Sequence, residues 1–230
     1  MSAVALSTLV FTRTTGYRHA SIESAVSALE SRPELSVTPS EDPTEVARCG
    51  EYDVVAFVST SGDVLDDAAR EQLKSWVLDG GAFVAVHCAA ATEQSWDWYA
   101  ELLGARFAGH PEGEREGVAV VADRGHPSTV ALPERWSFRD EWYAFADVRP
   151  DLHLLLSVDT ESVSLGDYAM PPPHPQAWCR RVGAGRSWFT GLGHSDEAWS
   201  DAHFLGHVLG GVAWAAAGEP AGDERRVGQG

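Results

Sequence analysis

The stretch Ala85-Val86-His87-Cys88-Ala89 has the make-up of a sharp strand-to-helix turn that presents one reactive side chain. Such a turn needs small residues two before and two after the presented position, because bulk there collides with the tight backbone. His87 meets this rule, with Ala85 and Ala89 around it. Cys88 meets it less well, since Val86 lies two before. The sequence therefore puts His87 at the tip, with Cys88 beside it. An imidazole there suits acid–base work, and a thiol suits nucleophilic chemistry. Both also suit packing at a strand end.

Other candidates are spread along the chain. His194 follows an apolar run and has Gly191 and Gly193 before it, as expected of a side chain projected from a strand end into a crevice. Asp196 and Glu197 stand close enough to orient it, and equally suit a helix N-terminus. His19 closes the segment Gly16-Tyr17-Arg18-His19, and His110 and His126 each precede a proline. Asp140-Glu141-Trp142-Tyr143 places two carboxylates beside two aromatic rings. Rings of this kind stack on a sugar face, while a carboxylate binds hydroxyls or exchanges protons.

The missing motifs narrow the chemistry. Neither G-x-G-x-x-G nor a P-loop occurs, so no nucleotide is expected. There is no G-x-S-x-G elbow and no H-E-x-x-H pair. Cys49, Cys88 and Cys179 form no metal-binding or disulfide pattern. His19, His87, His110 and His194, with Glu141, would suit a zinc-like or iron-like divalent ion if the fold gathered them, although their spacing does not itself call for one.

Positioning such residues takes alternating elements, and the pattern supplies them. Residues 4–11 read as a strand. A helix follows, with Ile22, Ala25, Val26 and Leu29 on one face, Ser21 as N-cap and Pro33 as stop. Residues 35–38 suit a short strand, and the apolar run 52–58 suits one buried on both faces. A helix carrying Ala69, Leu73, Trp76 and Val77 ends at Gly80-Gly81, and residues 82–86 form the next buried strand. Another helix runs through Trp98, Leu102 and Leu103. This order predicts a doubly wound sheet whose ligands meet the carboxyl ends of its strands, at the loops near Thr12, Ser59 and His87. Farther on, 117–122 and 152–158 suit strands, 135–145 mixed helix and loop, and 171–175 a rigid extended stretch. Residues 177–182 and 186–192 suit a hairpin, and a final helix carries Phe204, Leu205, Val208, Leu209, Val212 and Ala213.

The 230 residues are expected to form a single domain over 1–217, followed by a flexible tail over 218–230. A net charge of −17 argues against nucleic-acid and anionic-membrane partners. With no apolar stretch long enough to span a bilayer and no basic leader, a cytoplasmic location is expected. Nine tryptophans leave room for a homo-oligomer.

Taken in order, the segments GYRHASI (16–22), YDVVAF (52–57), LKSWVLDGGAFVAVHCAAAT (73–92), FAGHP (107–111), HPSTVAL (126–132), DEWYAF (140–145), QAWCRRVGAGRSWFTGLGH (176–194) and GHVLGGVAWA (206–215) resemble the ThuA-like family, named for trehalose utilisation. The resemblance implies an α/β, flavodoxin-like, three-layer α/β/α sandwich with a mostly parallel sheet, similar to class I glutamine amidotransferases. In those enzymes a cysteine sits at the elbow and a histidine ends a late strand. Here His87 holds the elbow, and a histidine cannot replace a thiolate in forming a glutamyl thioester, so glutaminase activity is not expected. The family implies carbohydrate metabolism on a disaccharide, glycoside or keto-glycoside. The expected roles are His87, His194 and Glu141 in catalysis, with His19, His110, Trp142 and Tyr143 against the sugar. Two alternatives stand beside this reading. One is a thiol hydrolase or amidotransferase-like enzyme using Cys88 and His194. The other is a non-catalytic sugar-binding module.

Overall fold

The computed structural model describes residues 4–218. The chain begins with β1 (Leu6–Phe11), α1 (Ile22–Glu30), β2 (Leu35–Ser40), α2 (Pro43–Ala47), β3 (Val54–Val58), α3 (Asp67–Leu78) and β4 (Ala82–Val86), the alternation read from the sequence. After α4 (Asp97–Leu103) come β5 (Arg106–Gly109), β6 (Arg115–Val121), β7 (Arg135–Asp140), β8 (Ala144–Ala146) and β9 (His153–Val158). A hairpin of β10 (His174–Val182) and β11 (Gly185–Thr190), then α5 (Asp196–Ser200) and α6 (Ala202–Ala216), complete the order. The large sheet runs β2-β1-β3-β4-β11-β10-β9-β6-β7. Its first five strands are parallel in the flavodoxin order, with β11 in the fifth place. Antiparallel ladders extend it from β11 to β7.

Three layers follow from the period-2 geometry of the strands. In β1, β3 and β4, Leu9, Phe11, Val55, Phe57, Phe83 and Ala85 pack with Val46, Leu73, Val77 and Leu102 on one face. The residues between them, Val10, Val54, Ala56, Val84 and Val86, pack with Ala25, Leu29, Phe204, Val208 and Val212 on the other. Each fully buried Leu, Val or Phe contributes about 1.5–3 kcal/mol, so both helix layers are held by the same strands. Trp136, Trp142, Trp178, Trp188 and Trp199 are buried in the chain's own core, which accounts for most of the tryptophans without an interface.

Two local readings change. Residues 135–145, expected as mixed helix and loop, are β7, a short turn and β8. The strict exposed–buried alternation of β7 puts Trp136 and Phe138 inward, a pairing-driven pattern that the charged composition disguised. Ser21 is not a side-chain cap; its hydroxyl donates to the His194 carbonyl at 2.6 Å and ties α1 to the loop after β11. The tail expected over 218–230 lies, from 219 on, outside the described residues. Among the described residues no helix is long and apolar enough to cross a membrane.

The His126 motif is structural. Its Nδ1 and the Ser128 hydroxyl lie 2.8 Å apart, and the Ser128 carbonyl accepts from His207 Nδ1 of α6 at 2.8 Å. The loop approaches α6 so closely that a Cβ on Gly210 would lie 2.3 Å from the Pro127 carbonyl oxygen. Burial lowers the His207 pKa from 6.5 to about 4. An unfolded chain takes up this proton below pH 6.5 while the folded chain stays neutral until about pH 4, so stability present above pH 6.5 drains away across that window. A loss of about 3 kcal/mol is expected between pH 7 and pH 4 from this residue. Urea unfolding of the parent and of His207→Leu at both pH values checks it: the variant should show a shallower acid limb.

Candidate active site at the strand tips

The turn after β4 has the geometry that its small residues allow. His87 has φ 55°, a left-handed conformation rare for a side chain of this size, and opens a single 3-10 turn, His87–Ala91. Ala85 and Ala89 are fully buried against it. The His87 ring is also fully buried, and its Nδ1 lies 2.8 Å from the Gly191 carbonyl. A carbonyl only accepts, so Nδ1 carries the proton and Nε2 presents a lone pair.

Groups from three other segments surround that lone pair. His19 arrives from the loop after β1, with its Nε2 at 3.1 Å. His194 arrives from the loop after β11, with its Nδ1 at 3.3 Å. Glu141 arrives from the end of β7; its Oε2 is 3.6 Å from His87 Nε2 and 3.2 Å from His194 Nδ1. The Tyr143 hydroxyl lies 2.9 Å from the same nitrogen of His87. The residues expected to converge therefore do so, from loops far apart in the chain.

The electrostatics follow from this crowding. Burial, with the neighbouring imidazoles of His87 and His194, pushes the His19 pKa down to about 3. Burial alone would raise the Glu141 carboxyl, but the hydrogen bond from His194, with the His87 ring close by, outweighs it and holds the group well below the usual carboxylate range. The Glu141 hydrogen bond raises His194. Burial lifts the Tyr143 phenol well above 10, so its hydroxyl remains a donor.

His110 stands at the rim. Its Nδ1 is 2.9 Å from the Pro111 carbonyl, its Nε2 is 3.5 Å from Glu141 Oε2, and its ring stacks on Tyr143. A cavity of about 820 Å³ opens over the cluster, with His19, Cys88, Phe107, His110, Glu141 and Tyr143 in its walls. Tyr17 lies at its edge, 67% exposed.

One expectation needs correction. Trp142 does not reach the cavity: its ring is buried beside Gly117, and its indole N–H donates to the Arg115 carbonyl at 2.9 Å. Adjacent residues in an extended segment point to opposite sides, so Tyr143 facing the site sends Trp142 into the core. Cys88 does line the cavity, but burial and the Glu141 charge push its pKa up to about 12, the reverse of what a nucleophilic thiol needs. Sequence reasoning gave no separate role to Asp140. It is fully buried and accepts backbone N–H bonds from Gly193 at 2.7 Å, Glu141 at 2.8 Å and His194 at 3.3 Å. Burial raises its pKa to about 6 against these bonds.

The donor set fits a metal ion. His19, His87, Glu141 and His194 each offer one ligand atom, all within 4.8 Å of one another. Tetrahedral ligands about 2.1 Å from an ion stand about 3.4 Å apart. Four of the six separations, 3.1, 3.3, 3.6 and 3.2 Å, bracket that value, and all six lie within 4.8 Å. His87 also has the outer N–H bond to a carbonyl that fixes a metal-binding imidazole.

Comparison with known proteins gives this arrangement a family. A ThuA-like protein from Bacteroides uniformis superposes with a TM-score of 0.79 at 21% identity, covering 94% of each chain. One from Parabacteroides merdae gives 0.74 at 19% identity, covering 93% of this chain and 90% of that one. A GMP synthase protein from Thermoplasma acidophilum gives 0.58 at 13% identity, covering 94% of this chain and 96% of the other, a likeness of fold alone. No curated protein matches the chain. The family profile for trehalose utilisation, ThuA, matches residues 7–215, and the chain belongs to that family.

Proposed function

We propose that the protein is a carbohydrate-metabolising enzyme that acts on a neutral disaccharide, glycoside or keto-glycoside at a divalent-metal centre formed by His19, His87, Glu141 and His194. The observation that carries the proposal is the ligand spacing: four donors from four separate segments lie within 4.8 Å of one another, and four of their six separations stand near the distance a single tetrahedral ion would set. A bound ion that takes the substrate as a fifth ligand would supply Lewis-acid polarisation of its oxygen.

The rest of the cavity supports a sugar. Its volume is in the range of small-molecule sites, and among the described residues no lysine or arginine lines it, which favours an uncharged ligand over a phosphorylated one. The exposed ring of Tyr17 offers an apolar platform, and sugar rings stack on such surfaces. The Tyr143 hydroxyl can donate to a substrate oxygen, and the partly exposed His110 lines the cavity beside it.

The test is turnover of trehalose, maltose and their 3-keto forms by protein prepared with zinc, iron or manganese and by protein stripped with a chelator. Turnover should require metal, and Cys88→Ser should react at the parental rate. Equal rates with and without metal would overturn the metal centre, and loss of turnover in Cys88→Ser would favour the thiol reading. Tight sugar binding with the ligand recovered unchanged would favour a binding module.

A further inference from the structure

We infer that Asp140 is the positioning residue that aligns the metal-binding side chains and supplies the second negative charge beneath them. The inference rests on the metal-centre reading above. Glu141 reaches the site from β7, the outermost strand of the sheet, whereas His194 follows β11, four ladders away. In a flat sheet those strands would lie about 19 Å apart. Something must fix the end of one against the end of the other, and the Asp140 carboxylate does so. Its Oδ1 accepts from the Glu141 N–H at 2.8 Å and the His194 N–H at 3.3 Å, and its Oδ2 accepts from the Gly193 N–H at 2.7 Å. Two of these three donors belong to proposed ligands, and the third immediately precedes one. The same carboxylate lies 4.0 Å from His87 Nδ1.

Charge gives a second reason. Three neutral imidazoles and one carboxylate leave a divalent ion with an uncompensated positive charge in a buried site. Asp140, fully buried against the same backbone, cancels it without occupying a ligand position. An asparagine of the same shape cannot do this. In either orientation its NH2 group faces at least one backbone N–H that now donates to a carboxylate oxygen.

The experiment uses the full chain. Zinc affinity is measured by chelator competition for the parent, Asp140→Asn and Asp140→Ser, alongside the visible spectrum of the cobalt-loaded forms and the melting of the metal-free forms. Partners outside the ligand shell typically carry 10–100-fold in metal affinity. Asp140→Asn should therefore bind zinc about 10–100-fold more weakly and show altered cobalt bands, a change that melting of the metal-free protein alone would not report. The serine variant, which removes the opposed NH2 group, carries the test if the asparagine variant does not fold. Parental affinity and parental cobalt bands in a folded variant would overturn the role of Asp140 and leave the metal centre standing. No saturable zinc binding by the parent would instead overturn the metal centre, and this inference with it.

Discussion

His87→Ala is expected to lose metal binding and to lower kcat by at least about a thousandfold, which corresponds to about 4 kcal/mol of transition-state stabilisation. His87 Nε2 is the nitrogen on which His19, His194, Glu141 and the Tyr143 hydroxyl converge, so its loss opens the middle of the cluster. The Ala variant also leaves the Gly191 carbonyl and the Tyr143 hydroxyl without their partner, at about 1–3 kcal/mol for each buried group. A lower melting temperature is therefore expected as well. His87→Gln separates the two effects, because its amide can still donate to the Gly191 carbonyl. It should recover part of the stability and little of the activity. Saturation kinetics, metal analysis and thermal melting of the three proteins check this. Turnover near the parental level in either variant would remove His87 from the reaction centre.

Glu141→Gln is expected to weaken divalent-metal binding by more than about a hundredfold and to lower turnover to match. The bound is physical: losing an outer partner costs up to about a hundredfold, and losing the only anionic ligand must cost more. The change keeps the shape of the side chain but removes its charge, so the three imidazoles would face the ion without a carboxylate. Glu141 contacts His194 at 3.2 Å, His110 at 3.5 Å and His87 at 3.6 Å, and it is the shared neighbour of all three rings. Chelator competition and steady-state kinetics on the same preparations measure both effects. Unchanged metal affinity with lost turnover would instead make Glu141 an acid–base group alone.

Much of the fold was legible because its determinants are local. The apolar runs at 52–58 and 82–86 had to be strands buried on both faces, and they became β3 and β4. The small residues around His87 described its turn before any contact was known, and φ at that residue is left-handed as the turn requires. The spacing of Phe204, Leu205, Val208 and Val212 marked the helix α6. The antiparallel half was harder to read. The strand β7 is defined by pairing with β6, and its sequence RWSFRD puts polar or charged residues on every exposed position and a carboxylate at its buried end, which blurred its alternation. The inward turn of Trp142 depends on Gly117 in a neighbouring strand, a contact no local pattern records. Asp140 was visible only as one of a pair of carboxylates. Its work is done through backbone groups more than fifty residues later in the chain, Gly193 and His194, and backbone donors leave no trace in residue type.

The most direct measurement is a calorimetric titration of zinc into the chelator-stripped full chain, repeated with His19→Ala, His87→Ala, His194→Ala and Glu141→Gln. The expected result is saturable binding of one ion per chain, weakened or lost in every variant. Absence of saturable binding in the parent, or affinity unaltered by all four substitutions, would contradict a metal centre at the strand tips.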